Sequence, residues 1–307
     1  MKTILVPLDT SGNATRILPY IRTLALAMKT TVHLLHIWEF DAHLLYSRYQ
    51  TMREYFRGLA KELQVAGIDV TTEMQIGTPA TRIVETAERL DALLIAMVTH
   101  GYSGFKRWAV GSVTDKVVQT SQRPVLIVQT DEQHIPSTYN VRRILVPLDG
   151  SPLALQGLEY ALKIAAPFDA AVHLLHVVEP HVLSETAVNG VDHRTADGSS
   201  DRIRERQYQA EQELTALRMQ LHNHSMPISI HVAVGYAAEH IVDAALEQQI
   251  DLIVMATHGR GGMERWALGS VADKVLHATQ TPLMFIRANT RKLRYSSEIQ
   301  NTVFLQV

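Results

Sequence analysis

The chain has 307 residues, 46% of them apolar and 20% charged, with no cysteine and a formal net charge of −2. That length allows two ordinary domains with cores of their own. The near-neutral charge gives no electrostatic footprint for nucleic acid or an anionic membrane, and the lack of cysteine removes disulfides, thiolate metal sites and a cysteine nucleophile.

The opening run Met1-Lys2-Thr3-Ile4-Leu5-Val6 is broken by Pro7 and Asp9, too early for a signal-peptide core. No apolar run approaches the roughly 18 residues of a membrane helix, so the expectation is a soluble, cytoplasmic protein. Strands are expected near 2–8, 31–38, 69–76, 92–98 and 124–129, with helices near 12–28, 43–66, 79–89 and 111–120. A polar linker, Asp131 to Tyr139 with Pro136 and Ser137, follows. The pattern then resumes, with strands near 143–148, 171–178, 228–234, 251–256 and 282–287 and helices near 152–166, 201–222, 237–248 and 270–279. Between the second strand and second helix of this half lies His181 to Asp201, with Asn189-Gly190 and Asp197-Gly198-Ser199-Ser200. It reads as a disordered insertion, with a lid over a ligand site as the alternative. The tail from Arg291 starts basic and ends Val303-Phe304-Leu305-Gln306-Val307, a loose end or a docking segment. The expected domains are 1–131 and 141–288, with 132–140 as linker and 289–307 as tail.

The two halves are copies. Ile4-Leu5-Val6-Pro7-Leu8-Asp9 returns as Ile144-Leu145-Val146-Pro147-Leu148-Asp149, and Val32-His33-Leu34-Leu35-His36 as Val172-His173-Leu174-Leu175-His176, both at an offset of 140. Beyond the insertion His100, Trp108, Gly111, Asp115 and Pro124 return at an offset of 158 as His258, Trp266, Gly269, Asp273 and Pro282. Alternating strands and helices with continuously apolar, β-branched strands imply a doubly wound parallel sheet, open and five-stranded, in each half. With strand order 3-2-1-4-5, a ligand belongs beyond the carboxyl ends of the first and fourth strands, where the order reverses. Asp9 and Asp149 leave the first strands there. The glycine loops Thr99-His100-Gly101-Tyr102-Ser103-Gly104 and Thr257-His258-Gly259-Arg260-Gly261-Gly262 leave the fourth.

Each loop leads to Gly-Ser-Val at a helix start, Gly111-Ser112-Val113 and Gly269-Ser270-Val271. Glycines let backbone approach phosphate oxygens or adopt positive φ. A helix N-terminus offers amides and a partial positive charge, and Ser112 and Ser270 could donate a hydroxyl to the same anion. The plain alternative is a turn followed by an S-x-x-D helix cap, Ser270 with Asp273. Asp9 and Asp149 could likewise contact a ligand or merely orient a turn, with Ser151 capping a helix and Pro152 at its first position. His100 and His258 read as structural histidines rather than general bases. Trp108 and Trp266 pack their loops, while Arg107 and Arg265 reach phosphate or stay solvated. No histidine cluster has metal spacing.

The repeated I-L-V-P-L-D, the V-H-L-L-H strand and the T-H-G…G-S-V-x-D-K-V block resemble the universal stress protein family, in tandem, over about 1–130 and 141–288. The resemblance implies the open parallel α/β fold and a G-x2-G-x9-G-(S/T) nucleotide motif. Its second glycine corresponds to Gly101 and Gly259 and its last to Gly111 and Gly269; Val98 and Ala256 stand where the first belongs. It also implies that Asp9 and Asp149 contact adenosine, with Pro7 and Pro147, Ile37 and Val177 forming the adenine slot. Valine at such a position can cost roughly 1–3 kcal/mol by overpacking, alanine less. The expected ligand is therefore ATP or a related adenine nucleotide, with or without Mg2+, held mainly by the second half. Its expected contacts are Pro147, Asp149, Val177, Met255, Ala256, Gly259, Arg260, Gly262, Gly269, Ser270 and Val271. A weaker set is Asp9, Ile37, Gly101, Gly111, Ser112 and Val113. The halves are expected to pack as an internal pseudo-dimer through Val125–Gln129 and Leu283–Arg287, with further homodimerisation as an added level.

No P-loop, kinase loop set or G-x-S-x-G elbow occurs, so the expectation is a binding protein and not an enzyme. The rivals are a scaffold of the same fold that has lost its ligand, and a slow ATPase or autokinase acting at Ser270. A third rival is an unrelated enzyme on the same fold, such as a nucleotidyl-transfer relative, but no S-G-G-x-D-S-type pyrophosphate loop is present in the chain.

Overall fold

The computed structural model of the chain describes residues 2–9, 11, 14–39, 45–100, 111–130, 138–180, 196–257 and 268–287. Contacts divide it into two units. One runs to Asn140 and takes in Gln280–Arg287; the other starts at Val141 and takes in Gly269–Thr279.

The first unit alternates β1 (Thr3–Pro7), α1 (Leu18–Met28), β2 (Thr31–Trp38), α2 (Leu45–Val65), β3 (Val70–Ile76), α3 (Pro79–Arg89), β4 (Leu94–His100), α4 (Ser112–Thr120) and β5 (Val125–Thr130). Its strand order is β3-β2-β1-β4-β5, and these strands run parallel. The inner strands are largely apolar because helices cover both faces: Ile4, Leu5, Val6, Val32, Leu34 and Leu35 are fully buried, with His33 and His36 as buried polar exceptions on β2. Strand β3 differs, exposing Thr71 and Thr72, as suits an edge. The strand β10 (Leu283–Ile286) belongs to this unit and runs antiparallel to β5, with Met284 opposite Leu126. The end of the expected linker docks here too. Tyr139 packs on Tyr20 of α1, ring centroids 4.5 Å apart, and its carbonyl accepts from Thr23 Oγ1 at 2.9 Å.

The second unit repeats the plan with β6 (Arg143–Pro147), α5 (Pro152–Ala165), β7 (Ala171–Val178), α6 (Ala196–Gln220), β8 (Ile228–Val234), α7 (Ala237–Glu247), β9 (Leu252–Ala256) and α8 (Ser270–Ala278). Its strands follow the order β8-β7-β6-β9, all parallel. The buried positions of α2, Met52, Phe56, Leu59 and Leu63, recur as Ala210, Leu214 and Leu217 in α6 and Leu221 in the 3-10 turn that follows it, so the offset of 158 already holds there. Each strand–turn between sheet edge and following helix needs a glycine. Gly77 and Gly235 have φ of 144° and 149°, and the side chains of Arg82 and His240 lie where a Cβ would go.

Two helix starts differ from the sequence reading. The helix expected from 12 opens as a 3-10 turn, Ala14–Ile17, before α1. Pro19, in the first turn of α1, has no N–H to give to the carbonyl four residues back. The equivalent helix α5 has its proline at the first position, Pro152, and runs unbroken. Helix α6 begins at Ala196, so Asp197-Gly198-Ser199-Ser200, expected in a loop, lie in its first turns. Residues 181–195 and the tail fall outside the described residues.

Candidate functional site

In each unit the first strand lies between the second and fourth, and that is where the strand order reverses. In the second unit β6 pairs with β7 (Pro147 opposite Leu175) and with β9 (Leu145 opposite Ile253). This brings Pro147, Asp149, Val177, Met255 and Ala256 to one carboxyl edge. Burial grades outward along them. Met255 and the neighbouring Thr257 are buried, while Pro147, Asp149, Val177 and Ala256 are half-exposed. The loop after β9 is tied at its base, the Gly269 N–H donating to the Thr257 carbonyl at 2.7 Å, which sets the start of α8 beside the end of β9. Gly269, Ser270 and Val271 thus join the same edge. In the first unit Pro7, Asp9, Ile37, Val98, Gly111, Ser112 and Val113 hold the equivalent places. Gly101, Gly259, Arg260 and Gly262, with His258, Trp108, Trp266, Arg107 and Arg265, fall outside the described residues.

The serines are not the caps the S-x-x-D pattern suggested. The N-caps are Gly111 (φ −54°, ψ 142°) and Gly269 (φ −60°, ψ 149°), whose carbonyls accept from Asp115 and Asp273 at 3.0 and 2.9 Å. A glycine has no side chain to serve the first helical amides. Ser112 and Ser270 stand one residue further in, exposed, and neither hydroxyl has a recorded partner among the described residues. Neither glycine has a positive φ, so conformation does not demand it. At Gly111 an added Cβ would meet nothing within 4 Å, so the protein's own packing does not demand it either. An amide-rich helix start left uncapped, with a free hydroxyl beside it, suits an anion.

Both aspartates orient their turns: the Ser11 N–H donates to Asp9 Oδ1 and the Ser151 N–H to Asp149 Oδ1, each at 2.9 Å. Ser11 Oγ donates to the same Asp9 oxygen at 2.5 Å. Ser151 instead caps α5, its Oγ accepting from the Ala154 N–H at 3.1 Å, as the sequence suggested. The mouths differ further. In the first unit Tyr55 of α2 is hydrogen-bonded to Thr15 and lies in the field of Asp9; burial and then the Asp9 charge hold its phenol above the usual value, against the Thr15 bond. The second repeat has Glu213 and Leu155 at these positions. Beyond β7, Glu179 Oε1 accepts from the Ala237 N–H at the start of α7, at 2.9 Å. In the first repeat Pro79 stands in place of Ala237, and Glu39 is exposed.

One polar network escaped the sequence reading. His33 Nδ1 bonds Thr71 Oγ1 at 2.7 Å and Nε2 faces Glu73 Oε2 at 3.0 Å, and Arg89 closes on the same carboxylate. Burial alone would raise the Glu73 pKa, but the bonds from Arg89 and Gln75 and the Arg89 and His33 charges bring it below the usual value. The signal available in the sequence was the divergence between repeats: Glu73, Gln75, Thr86 and Arg89 return as His231, Ala233, Ala244 and Glu247. Among the described residues no three or more His, Asp or Glu side chains are grouped to hold a metal, and no helix is long and apolar enough to cross a membrane.

Fold and site together define a tandem, doubly wound α/β protein with an aspartate and a glycine-capped helix start at each switch point. The chain belongs to the universal stress protein family, whose sequence profile matches residues 1–129 and again 140–287. A universal stress protein of Mycobacterium tuberculosis H37Rv is 30% identical over 236 residues, 75% of this chain and 73% of its own. One from Methanocaldococcus jannaschii is 32% identical over 147 residues, 48% of this chain and 82% of its own. The fold matches the crystal structure of a universal stress protein from Archaeoglobus fulgidus with a TM-score of 0.69 and 21% identity, over 94% of this chain and 98% of that one.

Proposed function

We propose that this tandem universal stress protein is a cytoplasmic, non-enzymatic sensor that binds ATP or a related adenine nucleotide, with or without Mg2+, mainly in its second half. The carrying observation is the uncapped start of α8 with the exposed Ser270 hydroxyl, at the edge that also holds Asp149, Val177 and Ala256. In this reading the amides of Gly259, Gly262, Gly269, Ser270 and Val271 cradle the phosphates together with Arg260, while Pro147, Val177 and Met255 border the base and Asp149 the sugar. The first set, Asp9, Ile37, Gly101, Gly111, Ser112 and Val113, binds weakly, because Val98 adds a branched side chain and Tyr55 stands beside Asp9. Binding favours one conformational state, and the shift in population is the output. Domains 1–131 and 141–288 pack as a pseudo-dimer through Val125–Gln129 and Leu283–Arg287, a reading supported by the grouping of β10 with the first unit.

Calorimetric titration of ATP into wild type, Gly101→Val and Gly259→Val tests the assignment. One binding event is expected in wild type and Gly101→Val, with loss of roughly tenfold or more in affinity in Gly259→Val. Equal loss in both variants would overturn the asymmetry. A second reading, a scaffold without nucleotide, draws on Val98 and Ala256 replacing the first motif glycine. It predicts that mass spectrometry of the denatured native protein releases no adenine nucleotide.

A further inference from the structure

The first unit carries a cavity of about 460 Å3, lined by Gln75, Ile76, Arg82, Glu85, Thr86 and Arg89. None of these residues belongs to the switch-point site. Two come from the edge strand β3 and four from one face of α3.

The walls are held in place before any guest arrives. Gln75 Nε2 donates both to Glu73 Oε1 and to Thr86 Oγ1, each at 2.8 Å. Arg89 is fixed by Glu73, and Glu73 in turn by the buried His33. Arg82 Nε donates to the Ile76 carbonyl at 3.2 Å and Nη1 to Glu85 Oε2 at 2.9 Å. A guanidinium has about five N–H donors, and these bonds leave most of them on both arginines for a guest. The Gln75 carbonyl oxygen has no recorded partner among the described residues. Ile76 is 49% exposed and offers an apolar wall.

Duplication provides an internal control. The second repeat builds the same strand, glycine turn and helix from β8 and α7, yet carries Ala233, Ala244 and Glu247 where Gln75, Thr86 and Arg89 stand. The turn bond survives there in another form, His240 Nε2 facing the Val234 carbonyl at 3.0 Å. Folding of this strand–helix pair therefore does not require the network, and its convergence on a cavity needs another reason.

Charge selects the guest. Arg82 and Arg89 are balanced by Glu85 on the wall and Glu73 behind it. A simple anion would face Glu85, and a simple cation two guanidiniums. A molecule with both charges satisfies both signs. The geometry points to a binding site for a small zwitterion, an α-amino acid with a modest apolar side chain: its carboxylate on Arg82 and Arg89, its ammonium on Glu85 and the Gln75 oxygen, its side chain against Ile76. This inference stands independently of the nucleotide reading.

The test is calorimetric titration of the full chain with L-alanine, L-valine and L-leucine, and with two halves of leucine, 4-methylpentanoate and isoamylamine. At least one amino acid is expected to bind, and the half-ligands are expected to bind roughly tenfold or more weakly than leucine, since each leaves one charged group unanswered. Arg89→Gln should lose the binding. So should the double variant Gln75→Ala with Thr86→Ala, which installs residues the second repeat already folds with. Binding of none of the amino acids, equal binding of 4-methylpentanoate, or undiminished binding in the double variant would each overturn the site.

Discussion

His33 and His173 occupy equivalent positions on β2 and β7 and share a physical consequence. Burial is the main reason that each imidazole sits below its ordinary value; Arg89 adds to the effect at His33, where Glu73 opposes it, and Arg143 adds at His173. Both rings therefore bind protons more readily in the unfolded chain, whose reference value is 6.5. The stability they contribute is present above that pH and is lost as pH falls through it toward the lower folded values. Urea unfolding should show stability declining from about pH 7.5 to 5.5, with a shallower decline in the double variant His33→Gln, His173→Gln. A steeper decline in that variant would contradict the assignment.

Among the elements, the two helices that follow the first strands show how small sequence differences set a helix start. Ser151 and Pro152 give α5 a bonded cap and a pre-set first residue, while Ser11 directs its hydroxyl to Asp9 and the chain enters α1 through a 3-10 turn. Ser151→Ala should cost about 1 kcal/mol in denaturant unfolding. Ser11→Ala should cost less, and equal losses would mean that the Ser151 bond contributes nothing particular. The strands were legible because an inner parallel strand is mostly apolar on both faces, broken here only by Thr31 and by histidines: those at 31–38 and 171–178 match the expected spans. The aspartates, glycines and serines of the site were legible through the repeat. The capping arrangement was not, since Ser270 at a first or a capping position gives the same S-x-x-D spacing. The His33–Glu73–Arg89 network was hidden for a different reason. It joins three elements through the register of β2 on β3, His33 opposite Thr71, and no local pattern encodes register. The early start of α6 was obscured by Gly198 and two serines, whose low propensity is outweighed in a helix of 25 residues.

At the scale of the whole molecule, duplication has left two similar units with unequal equipment: Tyr55 beside Asp9 at the first switch point where the second repeat carries Glu213, and a charged cavity beside the sheet edge in the first unit. If only one unit takes nucleotide, calorimetric unfolding in ATP at a hundredfold excess over its dissociation constant should raise stability by about 2.7 kcal/mol. That gain should appear in one portion of the endotherm while the remainder stays in place; a shift shared by the entire transition would argue for ligand in both. The carboxylates after β2 and β7 sharpen the contrast. Glu179 is fastened to the amide of Ala237, where a helix start answers part of its charge, but Pro79 has no amide to offer and Glu39 keeps its side chain in water. A multiply charged anion drifting toward the first set of strand ends therefore meets a freely swinging like charge, and toward the second a tethered, partly compensated one. The two units are expected to differ in how often such a molecule arrives, and the gap in arrival should widen as ionic strength falls.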